Sequence, residues 1–311
     1  MSTLPEAGAT TRTPSTSRTP STPRPPSTPR TRRDPLARLR RLGGSRLQRT
    51  CLTLLVLFVL IALLGPWIAP YDPTFGQLGD TLLGPSAQHW LGTDQGGHDT
   101  LSALLVGTRT SLAGPLAVVL FSTVLGVAVG LFTAWRGGWI DTAVGRVLDV
   151  MFAFPALLLA ILAVALFGKG MTAPVIAMAL AYMPYTARLV RGLAVREKSR
   201  PYVAAYQVQG HSPLYVTVRR LLPNIAPTLL AQSTVNFGYA LLDLAALSFL
   251  GLGVQPPTPD WGAMINQGQA AVLQGQPLSA IAPAVAVVLV VVAFNVVGED
   301  LGDRLAGRDS R

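Results

Sequence analysis

The residue types that most often catalyse reactions or bind metals are few in this chain and lie far apart. Cys51 is the single cysteine, so no internal disulfide and no thiolate cluster for zinc is expected. His89, His98 and His211 lack the spacing of metal ligands. The sequence also lacks the G-x-x-x-x-G-K-[ST] loop that binds ATP phosphates, so an ATPase that powers this protein must be another chain. We expect no catalytic residue, no metal site and no cofactor on this chain.

Two aspartates, Asp149 and Asp243, lie within or near long apolar stretches. An ionisable group is costly in such a place, and it usually faces a charged partner or a wet cavity. Arg146 precedes Asp149 by three residues, which allows an ion pair on one helix face. We favour that structural role over a proton relay. Asp243 has no such neighbour in sequence.

The most informative polar segment covers residues 202–224. Ala204, Ala205 and Val208 place apolar area on one side of a first helical turn, and Gly210 can end that helix. A second short helix is predicted to begin directly after this glycine. Its signals are an N-cap serine, a first-turn proline and two following apolar residues: Ser212, Pro213, Leu214 and Tyr215. A capped helix of this kind is either a handle for a partner or an ordinary connector.

The elements that must position these residues are predicted from hydropathy. The 311 residues are 50% hydrophobic and 13% charged, with a mean hydropathy of +0.43, which is typical of a membrane protein. About 20 apolar residues in a helix cross a bilayer core of roughly 30 Å. Six stretches qualify: 51–69, 111–134, 147–167, 172–190, 224–250 and 280–298. We therefore predict an all-α membrane protein with six transmembrane helices.

The positive residues predict the orientation of these helices. With a cytoplasmic amino terminus, 23 of the 25 Lys and Arg residues lie on the cytoplasmic side. Arg109 and Lys169 are the two outside. Both termini are therefore expected in the cytoplasm, with the segment 191–223 as the longest cytoplasmic loop between helices.

The basic charge is concentrated in a tail. Residues 1–50 contain eleven arginines and supply +9 of the net charge of +10. This tail is rich in Pro, Thr and Arg and is expected to be largely disordered up to about residue 35, because it has few apolar residues to bury. It is expected to touch anionic membrane lipid rather than nucleic acid. Residues 51–311 form the predicted transmembrane domain.

The segment 202–224 resembles the E-A-A-x-x-x-G-x(12)-P-N signature of ABC importer permeases, with Gly210 and Pro223 at the separation found in that family. Ala204 stands where the glutamate is usual, Ala205 keeps the first alanine, and Tyr206 replaces the second. In the family, the short helix after the glycine docks on the ATP-binding subunit and transmits motion. The resemblance implies that role for about residues 212–217.

Two further segments are similar to those of the second permease subunit of dipeptide, oligopeptide and nickel importers. They lie in the predicted outer loops, at 89–112 and 247–264, and their marked residues are Gly92, Thr93, Asp94, Gly97, Asp99, Gly251, Gly253, Trp261 and Gly262. We expect most of these to shape turns rather than touch a ligand. The chain departs from the subgroup at His98, where arginine is usual, and at Asp243, which precedes the usual glutamate position by one residue.

The resemblance implies a type I ABC importer permease fold, with a core at about 109–299. It also implies a second homologous permease, two ATP-binding subunits that hold ATP and Mg²⁺, and an extracytoplasmic substrate-binding protein. Di- or oligopeptides are the expected cargo, with nickel chelates as the alternative. An ion-coupled secondary transporter would show two related halves, and no convincing inverted repeat is present. A membrane scaffold without transport is the remaining alternative.

Overall fold

The computed structural model describes the backbone of residues 35–306 and the side chains of residues 46–302, except that of Leu78. The chain divides into two units after Leu42, and every site discussed below lies in the second. Regular structure in the described part is entirely helical, apart from one isolated bridge between Thr93 and Asp99. The helices are α1 (Pro35–Ile68), α2 (Thr100–Arg136), α3 (Gly138–Phe152), α4 (Ala156–Phe167), α5 (Thr172–Lys198), α6 (Pro201–Val208), α7 (Pro213–Val216), α8 (Leu222–Phe249), α9 (Trp261–Leu273) and α10 (Leu278–Ala306).

Four helices of the described part are long and apolar enough to cross a membrane. These spans are Arg46–Ile68, Thr100–Arg136, Thr172–Lys198 and Leu278–Gly302, and the bent pair of α3 and α4 is a fifth candidate. The helix α8 has 28 residues, which is a sufficient length, but it also carries Gln232, Asn236 and Asp243. The described chain is thus an all-helical protein with four to five candidate spans. The disorder predicted for the tail falls largely on residues 1–34, outside the described part, whereas residues 35–50 begin α1.

The predicted continuous helix at 147–167 is wrong, because the chain bends by 78° between α3 and α4. Pro155 lies at the break with an extended backbone (φ −60°, ψ 131°). Proline has no N–H to donate and disfavours helical geometry in the residue before it. One helix therefore ends at Phe152 and a new one begins at Ala156.

The helix α2 lies against α5 at two glycines. A methyl group on Gly126 would stand 2.6 Å from Thr186 Cβ, and one on Gly130 would stand 2.6 Å from the carbonyl oxygen of Ala187. No side chain fits at such distances, so these glycines allow the two backbones to approach closely. This pair confirms the small-xxx-small contact that their spacing predicts.

Two parts of the chain are more helical than predicted. The helix α2 begins at Thr100 rather than near 111, because the side chain of Asp99 caps it by accepting a hydrogen bond from the N–H of Ser102. The segment 251–279, predicted as a loop, contains α9. Asp260 caps α9 in the same way, accepting from the N–H groups of Gly262 and Ala263.

Candidate functional site

The loop between α5 and α8, which the positive residues predict to be cytoplasmic, contains the two short helices that its sequence predicts. Gly210 has a φ of +82°, a value that glycine adopts without strain, and it follows the end of α6. Its N–H donates to the carbonyl of Gln207 at 3.0 Å, and the N–H of His211 donates to that of Tyr206 at 3.1 Å. These bonds satisfy the last carbonyls of α6, as expected for a glycine that ends a helix. Ala204 and Ala205 lie on exposed turns of α6.

The second short helix, α7, is anchored on one side and open on the other. Ser212 Oγ accepts a hydrogen bond from the N–H of Tyr215 at 3.3 Å, so Ser212 is its N-cap and Pro213 its first residue. Val216 is completely buried, whereas Leu214 is 72% exposed. The exposed apolar face of this region consists of Val208, Leu214, Tyr215 and Val218.

A π-helical turn, Thr217–Leu221, joins α7 directly to α8. Leu221 is completely buried, and Thr217 Oγ1 donates to the carbonyl of Pro213 at 2.7 Å. Pro223 lies in the first turn of α8, directly after this π-helical turn. The short helix α7, the π-helical turn and α8 therefore form one continuous helical connection.

A buried carboxylate ties this loop to the membrane helices. Glu197 is only 6% exposed, and its Oε1 accepts from Tyr202 Oη at 2.9 Å and from Asn224 Nδ2 at 3.0 Å. Its Oε2 pairs with Arg200 Nε at 3.0 Å. Burial and the bond to Glu197 raise the pKa of the Tyr202 phenol. One glutamate thus connects the end of α5, the start of α6 and the start of α8.

Sequence reasoning did not single out Glu197. It looked for the glutamate of the family signature at position 204, where this chain has alanine. The acidic residue lies seven positions earlier, at the end of α5. Its cross-loop partners Tyr202 and Asn224 are 5 and 27 residues away in sequence, so only the folded loop shows the cluster.

Stacked rings brace the loop across Gly210. The rings of His211 and Tyr215 lie 4.5 Å apart and nearly parallel, at 13°, and Tyr206 lies 5.4 Å from His211. The guanidinium carbon of Arg220 is 4.9 Å from the centre of the Tyr206 ring. Tyr206, where the family has alanine, therefore links α6 to the π-helical turn.

The first outer motif folds into a tight, hydrogen-bonded turn. Gly92 and Gly97 both have a φ of +73°, which confirms their predicted role in shaping turns. Asp94 Oδ1 accepts from the N–H of Gly96 at 2.8 Å and from that of His98 at 2.9 Å. Thr93, almost fully buried, accepts on its Oγ1 from the N–H of Leu83 at 2.8 Å.

Asp99 is the central acceptor of this outer layer. It is 4% exposed, and its Oδ2 accepts from both the N–H and the hydroxyl of Ser102, at 2.8 and 2.6 Å. His89 Nδ1 lies 2.9 Å from its Oδ1. Ser102 Oγ in turn accepts from the N–H of Tyr71 at 3.0 Å. The aspartate therefore fixes the start of α2 against the preceding loop.

The second outer motif packs against the first. Trp261 is completely buried, and its Nε1 donates to the carbonyl of Leu104 at 3.2 Å. Ser111 Oγ accepts from the N–H of Trp261 and donates to Asp260 Oδ2, both at 2.9 Å. Two segments about 150 residues apart are thus joined at the α2–α9 contact.

The glycines of this second motif differ in their roles. Gly251 has a φ of +73° and shapes a turn, as predicted. Gly253 does not have a positive φ; a methyl group there would stand 2.1 Å from Ser248 Oγ, so close packing requires it. A methyl group on Gly262 would stand 2.3 Å from the carbonyl oxygen of Ala245. Both positions are constrained by contacts with α8.

The two aspartates of the long apolar stretches, Asp149 and Asp243, have partners on α5. Asp149 forms its ion pair with Arg188, and the predicted pairing with Arg146 on the same helix is wrong. The reason is that the arginine on α5 reaches across the α3–α5 contact and also lies over the Phe152 ring. Asp243 Oδ2 accepts a hydrogen bond from Tyr182 Oη at 2.9 Å.

Comparisons with known proteins place this geometry in a family. Residues 126–308 match the model of the binding-protein-dependent transport system inner membrane component, and residues 36–85 match the N-terminal transmembrane domain of oligopeptide transport permease C. The glutathione transport system permease protein GsiD of Escherichia coli O6:K15:H31 is 38% identical over 86% of this chain and 88% of its own. The nickel transport system permease protein NikC of Escherichia coli K12 is 40% identical over 83% and 92%, respectively.

A solved structure agrees with the fold. A chain of the methionine ABC transporter MetNI, in an inward-facing conformation, has a TM-score of 0.51 and 19% identity, and the match covers 65% of this chain and 96% of that one. At that identity the match supports a type I ABC importer permease fold and nothing about substrate. The chain therefore belongs to the family of binding-protein-dependent inner-membrane transport components, and within it to the second permeases of the peptide/nickel group.

Proposed function

We propose that this chain is the permease subunit of an ATP-driven importer that moves di- or oligopeptides across the cytoplasmic membrane. The observation that carries the proposal is the exposed apolar face of α7 on a rigid, capped frame. Exposed apolar side chains on neighbouring short helices, with Leu214 at 72% and Val208 at 90% exposure, are a surface of the kind that another protein covers. The ATP-binding subunit is that partner.

In this proposal the complete importer has separate chains for each task. Two ATP-binding subunits hold ATP and Mg²⁺, a second homologous permease completes the path, and an extracytoplasmic protein delivers the substrate. Six helices cross the membrane, with α3 and α4 as one broken span, α8 as another, and both termini in the cytoplasm. The one-sided distribution of positive residues supports this orientation.

The proposed cargo rests on relatives of two kinds. Glutathione, the cargo of one relative, is itself a short peptide, and this favours peptides for the present chain. A relative of similar identity transports nickel, which keeps nickel chelates as the second candidate. Uptake assays with the purified delivery protein and both ligand classes separate the two.

A charge introduced at one exposed position tests whether the apolar face binds the ATP-binding subunit. Leu214→Arg places a charge on the apolar face without creating a cavity, because the side chain is already exposed. We expect the tagged variant to lose the ATP-binding subunit on gentle purification, and ATP-driven uptake with it. Leu273→Arg is the matched control, since Leu273 is 89% exposed at the end of α9, in the predicted outer loop.

The control variant should retain both the ATPase and uptake. A Leu214→Arg complex that still contains the ATPase and still hydrolyses ATP would show that α7 is a plain connector. Uptake that follows an ion gradient, by a chain that purifies alone, would instead support a secondary transporter. A chain that purifies alone and transports nothing would favour the scaffold.

A further inference from the structure

A cleft of about 520 Å³ lies within the helix bundle, away from the cytoplasmic loop. It is bounded by α5, by α8 and by the break between α3 and α4. Phe154 lines it from the break, and Tyr182 and Tyr185 line it from α5. This volume is within the range of small-molecule binding sites in proteins.

The α8 wall of the cleft carries a stripe of polar residues. Gln232, Asn236 and Tyr239 line the cleft, and Asp243 follows one turn later. Their spacing of four, three and four residues places all of them on one helical face. Polar side chains within a membrane-spanning bundle normally face its interior or a water-filled cavity. The stripe therefore marks the side of α8 that is in contact with water or ligand.

Hydrogen bonds hold the stripe in position. Gln232 Nε2 donates to Asn236 Oδ1 at 3.1 Å, and Tyr182 Oη donates to Asp243 Oδ2 at 2.9 Å. Tyr182 thus lines the cleft and also contacts the carboxylate, which places the acidic group next to the cleft wall. Tyr239 is 60% exposed, so much of its ring borders open space.

We propose that this cleft binds the cargo during passage, and that the cargo it fits is a short peptide with a free amino terminus. The inference rests on the proposed import function and adds the substrate chemistry. Amide and phenol groups can donate to and accept from peptide bonds, and aromatic faces take apolar side chains. Asp243 lies behind Tyr182 at the cleft wall, where its carboxylate places negative charge near an ammonium group of the ligand.

The length of the stripe agrees with this ligand. Gln232 and Asp243 are eleven residues apart in one helix, which corresponds to about 16 Å. An extended peptide of about four or five residues covers that distance. A bare divalent metal fits less well, because the lining contains no histidine and the described residues contain no group of three His, Cys, Asp or Glu side chains arranged to hold a metal.

The first test measures access of water to the stripe. Cys51 is the single cysteine, so Cys51→Ser gives a background free of thiols. In native membranes that contain the complete importer, Tyr239→Cys is treated with a charged, water-soluble methanethiosulfonate reagent. The matched control is Leu230→Cys on the same helix, because Leu230 is 56% exposed and lies off the stripe. We expect rapid modification of Tyr239→Cys and at least tenfold slower modification of Leu230→Cys, since only thiolates in contact with water react.

The second test identifies the ligand. Alanyl-alanine at millimolar concentration should slow modification of Tyr239→Cys severalfold, whereas N-acetyl-alanyl-alanine should not. Adding Asp243→Asn should remove this difference. Gln232→Cys, measured in parallel, replaces Tyr239→Cys if the latter variant does not insert.

Each outcome tests one claim separately: the wet cleft, the free amino terminus of the ligand, or the import function. Equal modification at the stripe and at Leu230 would refute the cleft as a wet path, even in an importer with normal ATP-driven uptake. Modification at the stripe without protection, or with equal protection by the acetylated peptide, would refute the assignment of a free amino terminus. Absence of an ATP-binding subunit from a complex that still shows peptide-specific protection would refute the import proposal and leave the cleft assignment standing.

Discussion

The two regions that carry the most distinctive sequence motifs differ in what their side chains contact. In the outer layer, Asp99, Asp260 and Trp261 are at most 4% exposed, and each makes hydrogen bonds within the chain. In the loop between α5 and α8, Leu214 and Val208 are at least 72% exposed on two short helices. Motifs that are equally distinctive in sequence therefore have different structural roles. The outer motifs stabilise a fixed local structure, whereas the loop exposes an apolar surface.

The largest expected effect is a loss of stability from a substitution in the outer layer. Trp261→Ala removes a fully buried indole and its bond to the Leu104 carbonyl, so we expect a loss of about 3–5 kcal/mol of stability. Leu214→Ala should change stability by no more than about 0.5 kcal/mol, because its side chain is exposed. Thermal unfolding of the two detergent-solubilised variants measures both. A comparable loss in Leu214→Ala would mean that the α7 face is part of the core.

An intermediate effect is expected at Glu197. Glu197→Ala removes the charged, buried acceptor to which half-buried Tyr202 and exposed Asn224 donate, at a cost of about 1–3 kcal/mol. We expect faster amide hydrogen exchange across 201–224 and weaker ATP-driven uptake, with unchanged exchange in 89–102. Glu197→Gln keeps an oxygen acceptor and should preserve most of the protection. If Gln behaves like Ala, the charge pair with Arg200 holds the loop instead.

A comparable effect is expected at Asp99 in the outer layer. Asp99→Ala removes the acceptor of both the Ser102 N–H and the Ser102 hydroxyl, and the partner of His89, so we expect a loss of about 1–3 kcal/mol. Asp99→Asn retains an oxygen acceptor and should lose less. Unfolding midpoints of the two variants, together with the amount of co-purified ATPase, provide the measurement. A loss of the ATPase in Asp99→Ala would contradict a purely local role.

Much of the fold follows from local patterns in the sequence. Apolar runs predict α2, α5 and α10, and the pair Ser212 and Pro213 predicts the start of α7, because these signals depend only on neighbouring residues. Pro155 predicts a kink in its helix, but the sequence does not indicate a bend as large as 78°, because apolar composition continues through it. The helix α9 is missed because glycines and prolines before it resemble those of a loop.

The candidate sites also differ in how far neighbouring residues in the sequence predict them. Turn glycines such as Gly92 and Gly251 are predictable, since the need for a positive φ arises within a few neighbouring residues. The partner of Asp149 is not predictable, because Arg188 approaches from another helix. The cleft depends on three elements at once, and in the sequence only the regular spacing of Gln232, Asn236, Tyr239 and Asp243 could have indicated it.

The break at Pro155 has a consequence for assembly. In the proposed six-span topology it lies within the hydrocarbon layer, where lipid offers no hydrogen-bond partner to a non-helical backbone. The bend must therefore face protein or water. It also forms one wall of the cleft, through Phe154. A single proline thus determines which side of the subunit cannot face lipid and must be covered by a neighbouring subunit or line an aqueous passage.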